Sequence, residues 1–110
     1  MAAFAKSSDK GYIPVSPGIF RKTLVSGART LLTEFRLKKG AELPVHFHSH
    51  EQTGYLVSGR MILTIGDEVN EMREGDSWVI PGNVTHRAEV LADSVAVEIF
   101  SPVREDYLQE

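Results

Sequence analysis

The sequence predicts an all-β chain, an antiparallel sandwich or barrel of many short strands. Three observations carry this reading: apolar and polar residues alternate with a period of two, turn signals recur at short intervals, and helical periodicity is almost absent.

In chain order, residues 1–10 ("MAAFAKSSDK") carry no pattern and read as a loose N-terminal segment. In "RTLLTEFRLK", Leu31, Thr33, Phe35 and Leu37 share one face, and Leu32, Glu34, Arg36 and Lys38 share the other. "YLVSGRMILTIGDEVNEM" reads as two strands, a turn at Gly66-Asp67 and the start of a third strand. "GDSWVIPGN" is a turn, a short apolar strand and a proline-glycine corner. In "SVAVEIFSP", Val95, Val97 and Ile99 lie opposite Ala96, Glu98 and Phe100. Further turn signals stand at Lys39-Gly40, Ser58-Gly59, Glu74-Gly75, Pro81-Gly82 and Ala92-Asp93. The tail "REDYLQE" can form a helical turn or two.

The length of 110 residues suits a single domain, 1–110, with one core. A hydrophobic share of 42% and a charged share of 25% are those of a globular protein. The net charge of −3 comes without a long run of one sign, so no nucleic-acid partner is expected. No apolar run approaches the roughly 20 residues of a membrane span, so no membrane partner is expected either. The first residues lack a basic region followed by an apolar one, so no signal peptide is expected. The chain has no cysteine, which excludes disulfides, thiolate metal sites and a cysteine nucleophile, and is consistent with a cytoplasmic location.

Three of the four histidines, His46, His48 and His50, fall within five residues, followed by Glu51 and Gln52. An H-x-H pair on a strand aims two imidazoles at one face, a common start to a metal site. The fourth, His86, follows the proline-glycine corner in "PGNVTHRAEV", and a barrel can bring it to the pair. For a lone histidine, a place on a surface loop would be the ordinary reading. H-x-H with a distant third imidazole in an all-β chain favours metal binding instead. His50 shares the parity of His46 and His48, and would join them if a regular strand ran on through Ser49.

These segments resemble the two motifs of the cupin family. "GAELPVHFHSHEQTGYLVSG" matches the first motif at Gly40, His46, His48, Gln52 and Gly59. "GDSWVIPGNVTH" matches the second at Gly75, Pro81 and His86, with Asn83 at a glycine position and Val90 where the motif ends in asparagine. Asparagine is the next best residue after glycine for positive φ. The resemblance implies a cupin β-barrel (a double-stranded β-helix, or jelly roll) and one divalent transition metal per chain. Its ligands would be His46, His48, Gln52 and His86, with His50 and Glu51 outside the ligand set. Zinc, nickel, iron, manganese and copper suit such a set about equally. Cupins usually carry glutamate where this chain has Gln52. A neutral amide leaves the full dipositive charge on the site, which favours Lewis-acid chemistry over oxygen activation.

"HSHEQ" before "YLVSG", and the ending "EIFSPVREDYL", resemble the small cupins of pectin and alginate breakdown, which convert unsaturated monouronates into linear keto forms. That likeness implies an acid-base role for Glu98, where the family has aspartate, substrate binding by Phe100, and a carboxylate clamp in Arg104. Read without the family, Glu98 has two possible placements. Either it faces inward with Ala96 and Phe100, or Val95, Val97 and Ile99 face inward and Glu98 is solvated. Phe100 favours the first, because the second would leave a phenylalanine outside. Arg104 read alone could equally be a surface residue of the tail. Trp78, flanked by Val79 and Ile80, reads as barrel wall, and so does Tyr55. The expected function is a ring-opening isomerisation of an unsaturated uronate or similar sugar acid, with a small carboxylate as ligand. The alternatives are a metal-dependent dioxygenase and a non-enzymatic metal- or sugar-binding module. A homodimer paired through sheet edges is expected.

Overall fold

A computed structural model describes residues 2–108. Its elements are β1 (Ile13–Ser16), β2 (Ile19–Ser26), β3 (Leu31–Leu37), β4 (Glu42–His46), β5 (Glu51–Ile65), β6 (Glu68–Arg73), β7 (Ser77–Ile80), β8 (His86–Ser101) and α1 (Glu105–Leu108). Every strand pairing is antiparallel. The described part of the N-terminal segment forms no strand before Ile13. The tail supplies one helical turn, and Gln109 and Glu110 of the predicted tail lie outside the described residues.

The long strands β5 and β8 hold the architecture together. They pair along almost their whole length, from Glu51↔Ser101 to Ile65↔His86. The second half of β8 is flanked by β3, and the first half of β5 by β7. The first half of β8 is flanked by β4, and the second half of β5 by β6. Two sheets therefore share β5 and β8 and face each other across the core. β1 and β2 extend the sheet that contains β3.

Alternation fills that core as the sequence predicts. Leu31, Thr33, Phe35 and Leu37 of β3 are buried, against Leu56, Met61 and Leu63 of β5 and Ala88, Val90, Ala96 and Phe100 of β8. Asn83 has a φ of 66°, the left-handed conformation expected of it.

Two predicted turns are not turns. Ser58-Gly59 and Ala92-Asp93 interrupt the ladder between β5 and β8 without reversing either strand, and the register shifts there. The physical reason is the pairing itself. Gly59 has a φ of 98°, and a Cβ on it would stand 2.0 Å from Ser94 Oγ. That hydroxyl accepts from Arg60 N at 3.0 Å and donates to Ala92 O at 2.7 Å. The two bulges face each other, and the paired strands bend there from one sheet into the other. The β1–β2 hairpin has no counterpart among the predicted strands.

Candidate metal centre

The candidate site lies at one end of the barrel, where β4, β5 and β8 converge. His46 is the last residue of β4 and pairs with His86, the first residue of β8. His48 lies past the end of β4, in the irregular segment before β5, so the expected regular strand through the H-x-H pair stops at its first histidine. That segment is held from outside: Asn83 N donates to His48 O at 2.7 Å. The backbone also runs so close at Gly82 that a Cβ would stand 2.5 Å from Ser49 O. The corner of the second motif thus docks onto the loop of the first.

One ring nitrogen from each of His46, His48 and His86 lies within 4.8 Å of those of the other two. The hydrogen bonds of these rings identify which nitrogen is available. Nδ1–H of His46 donates to Pro44 O at 2.9 Å, that of His48 to His50 O at 3.0 Å, and that of His86 to Val84 O at 3.0 Å. A carbonyl can only accept, so the proton is on Nδ1 and each Nε2 carries a lone pair. His86 Nε2 is buried and has no hydrogen-bond partner. His48 Nε2 lies 3.0 Å from the amide oxygen of Gln52, which is itself an acceptor. Two acceptors at that distance are stable only with a cation or a proton between them. Burial, more than any other factor, lowers the pKa of His48 and takes that of His86 down to about 4, so these two imidazoles are neutral at neutral pH. Neutral imidazoles with Nε2 free and Nδ1 tied to backbone are the form that binds a transition metal. The residues present fit one.

His50 does not join them. The strand regularity it would need ends at His46, and its carbonyl serves to orient His48. Glu51 is exposed.

Glu98 points inward with Ala96 and Phe100 and is only 8% exposed, whereas Ile99 lies on the outer face at 44%. The solvated placement of Glu98 is therefore ruled out. Its Oε2 accepts from Gln52 Nε2 at 2.5 Å and its Oε1 from Trp78 Nε1 at 2.7 Å. Desolvation pushes its pKa up to about 7, against the smaller opposing effect of these two donors. Trp78 is thus more than barrel wall, since its indole N–H holds the buried carboxyl. Tyr55, 46% exposed, lies on the outer face rather than in the barrel.

A pocket of about 290 Å³ brings His46, His48, Gln52, His86, Glu98, Phe100 and Arg104 together. Arg104 is not on the surface: its side chain is 17% exposed. Its guanidinium lies 5.1 Å from the Phe100 ring centroid and 4.1 Å from that of Tyr107. It donates to both carboxylate oxygens of Asp106, at 3.2 and 2.7 Å, and to the Tyr107 hydroxyl at 3.1 Å. Arg21 covers the Tyr107 ring at 3.8 Å and also lines the pocket. Arg21, Tyr107 and Trp78 are the functional-site residues that sequence reasoning missed. For Trp78 a signal existed in Gly54, an isolated glycine in a strand, which marks a close approach. A larger groove of about 1050 Å³ follows β6 and β7 but contains none of the histidines. Among the described residues, no helix is long and apolar enough to cross a membrane.

The cupin domain model matches residues 33–102. The structure of KdgF from Halomonas sp. superposes with a TM-score of 0.90 at 30% identity, covering 96% of this chain and 98% of that one. An RmlC-like cupin from Shewanella frigidimarina gives a TM-score of 0.90 at 27% identity, over 97% of this chain and 96% of that one. Oxalate decarboxylase OxdC of Bacillus subtilis is 32% identical over 63 residues, 53% of this chain. The match spans only 16% of OxdC's own length.

Proposed function

Because the chain belongs to the cupin domain family, we propose that it is a metal-dependent isomerase that opens the ring of an unsaturated uronate or a similar small sugar acid. The observation that carries this reading is a buried carboxyl, Glu98, in the same pocket as the histidine cluster and an arginine. The likeness to KdgF and to the small uronate-linearising cupins supports it.

In this reading His46, His48, Gln52 and His86 hold one divalent transition metal. The bound ion would supply Lewis acidity toward a sugar oxygen. The chain's own residues do the rest. Arg104 offers a guanidinium beside the Phe100 ring, where a substrate carboxylate can accept from it and the sugar face can pack on the aromatic. Ring opening is an isomerisation, with no atom gained or lost. A ring carbon–oxygen bond breaks as the hemiacetal hydroxyl gives up its proton, which leaves an aldehyde and an enolate. The enolate becomes a ketone when its carbon takes up a proton. Glu98, with a pKa near neutrality, can accept the first proton and return one. No cosubstrate is required.

The test is loss of the ultraviolet absorbance of the conjugated double bond of an unsaturated monouronate. Wild-type protein loaded with metal should accelerate the loss over the spontaneous rate. At saturating metal, Glu98→Gln should lose about 10²–10⁴-fold, the usual contribution of a general acid-base group. Arg104→Ala should chiefly raise KM, because its contact exists before and during the reaction. No rate above background with metal-loaded protein and several uronates would sink the function. Full activity in Glu98→Gln would sink the mechanism.

A further inference from the structure

The Trp78 indole, the Glu98 carboxylate and the Gln52 amide form one continuous row across β7, β5 and β8. Gly54 of β5 pairs with Trp78 on one side and with Glu98 on the other. Its missing side chain leaves the space in which the Trp78–Glu98 hydrogen bond lies. A Cβ there would stand 2.2 Å from Trp78 Nε1 and 2.4 Å from Glu98 Oε1. At the other end of the row, Gln52 donates to Glu98 Oε2 at 2.5 Å and turns its own Oε1 to His48 Nε2 at 3.0 Å.

We propose that Glu98 is also a positioning residue: with one carboxylate oxygen held by the Trp78 indole, its other oxygen fixes which end of the Gln52 amide faces the histidines, and the indole makes this a place that only a carboxylate can fill. The inference rests on reading Gln52 as a metal ligand. An amide can ligate a metal only through its oxygen, and its two ends are similar in size, so something must choose between them. The indole N–H can only donate, and so occupies one oxygen of Glu98. The other oxygen of the carboxylate is again an acceptor, so it selects the NH2 end of Gln52 and sends the oxygen inward. A carboxylate can serve two donors in this way because both its ends accept. An amide in its place cannot. In Glu98→Gln the indole would claim the oxygen of the introduced amide and leave an NH2 facing Gln52. Two NH2 groups repel, and Gln52 would turn over, presenting its NH2 to His48 Nε2. The substitution would thus remove a ligand that it does not touch chemically. Removing the indole as well frees the introduced amide to rotate, so that its oxygen accepts from Gln52 and the original arrangement returns.

The experiment titrates zinc(II) into metal-stripped protein by calorimetry, above neutral pH, for wild type, Gln52→Ala, Glu98→Gln, Trp78→Phe and the double variant Trp78→Phe/Glu98→Gln. Glu98→Gln should bind zinc about 10–100-fold more weakly, the usual cost of losing a group that orients a ligand. Trp78→Phe should stay close to wild type, because the carboxylate still accepts from Gln52. The double variant should recover most of the loss, which a merely structural role for Trp78 would not produce. Trp78 is the chain's only tryptophan, so its indole gives one ¹H–¹⁵N resonance. In Glu98→Gln that resonance should shift yet remain that of a hydrogen-bonded, partly buried indole. A move to the position of a solvent-exposed indole would overturn the proposal. So would wild-type affinity in Glu98→Gln when Gln52→Ala binds weakly, an outcome that leaves Gln52 standing as a ligand. A weak Glu98→Gln protein that Trp78→Phe does not rescue overturns the part given to Trp78. Unchanged affinity in Gln52→Ala removes Gln52 from the ligand set, and the inference with it.

Discussion

Gln52 stands where cupins usually carry glutamate, and its NH2 group explains the difference. That group donates to Glu98 Oε2 at 2.5 Å, where a glutamate would set a second carboxylate oxygen against the first. Like charges at such a distance do not both ionise, and one proton stays shared between them. Well above pH 7, where Glu98 of wild type has lost its proton, the variant Gln52→Glu should therefore still hold one, and lose it when a cation arrives. Calorimetric zinc titrations in buffers of different ionisation enthalpy should show more protons released per zinc in Gln52→Glu than in wild type. Equal release would refute this account of the glutamine. The position of Gln52 near the histidines was legible, because motif spacing alone sets it. Its bond to Glu98 was not, because the partner lies 46 positions away, on a strand that only the pairing of β5 with β8 brings alongside. The inward direction of Glu98 was legible from its parity with Phe100. Trp78 looked like wall because its neighbours are apolar, and the acceptor of its indole lies 20 positions further on.

At the level of elements, strand periodicity was enough to place β3, β6, β7, both halves of β5 and the second half of β8. It could not tell a bulge from a reversal. A glycine with positive φ serves both, and Gly59 beside Ser58 carries the same local signature as a hairpin turn. The hairpin of β1 and β2 escaped notice for a different reason. Pro14 interrupts the first strand, and from Phe20 to Val25 the second is half-buried on both faces, so no alternation is written there. The bulge makes its own prediction. Gly59→Ala adds a Cβ at 2.0 Å from Ser94 Oγ and 2.6 Å from Asp93 O, at a φ that alanine rarely adopts. Backbone strain of about 1–3 kcal/mol adds to an overpacking cost of similar size. Urea unfolding should show Gly59→Ala less stable by about 2–5 kcal/mol, with the midpoint lowered at unchanged slope. Because the bend aligns both ends of β8 with β5, the variant should also weaken zinc binding. A protein of wild-type stability would mean that the bulge can relax at no cost.

For the whole molecule, the site places two buried ionisable groups of opposite preference inside one small barrel. Folding raises the pKa of Glu98 from the ordinary 4.5 to about 7, chiefly by desolvation. The folded state thus holds this proton more tightly than the unfolded chain does. The stability from the neutral carboxyl is complete below about 4.5 and is lost as pH rises through about 7. Folding lowers the pKa of His86 from 6.5 to about 4, again chiefly by burial. The folded state here prefers the neutral ring, so this stability is complete above 6.5 and is lost as pH falls through about 4. The two slopes oppose each other over nearly the same interval. In the metal-free protein they should largely cancel, leaving stability between pH 4.5 and 7 flatter than either group alone would make it. Removing one group should expose the other. Metal-free Glu98→Gln should gain stability steadily as pH rises through this interval, while metal-free His86→Gln should lose it. The slope is the quantity to read, since either substitution also changes packing. Thermal or urea unfolding across the interval checks it, and parallel profiles for wild type and Glu98→Gln would show that Glu98 does not carry the proton assigned to it.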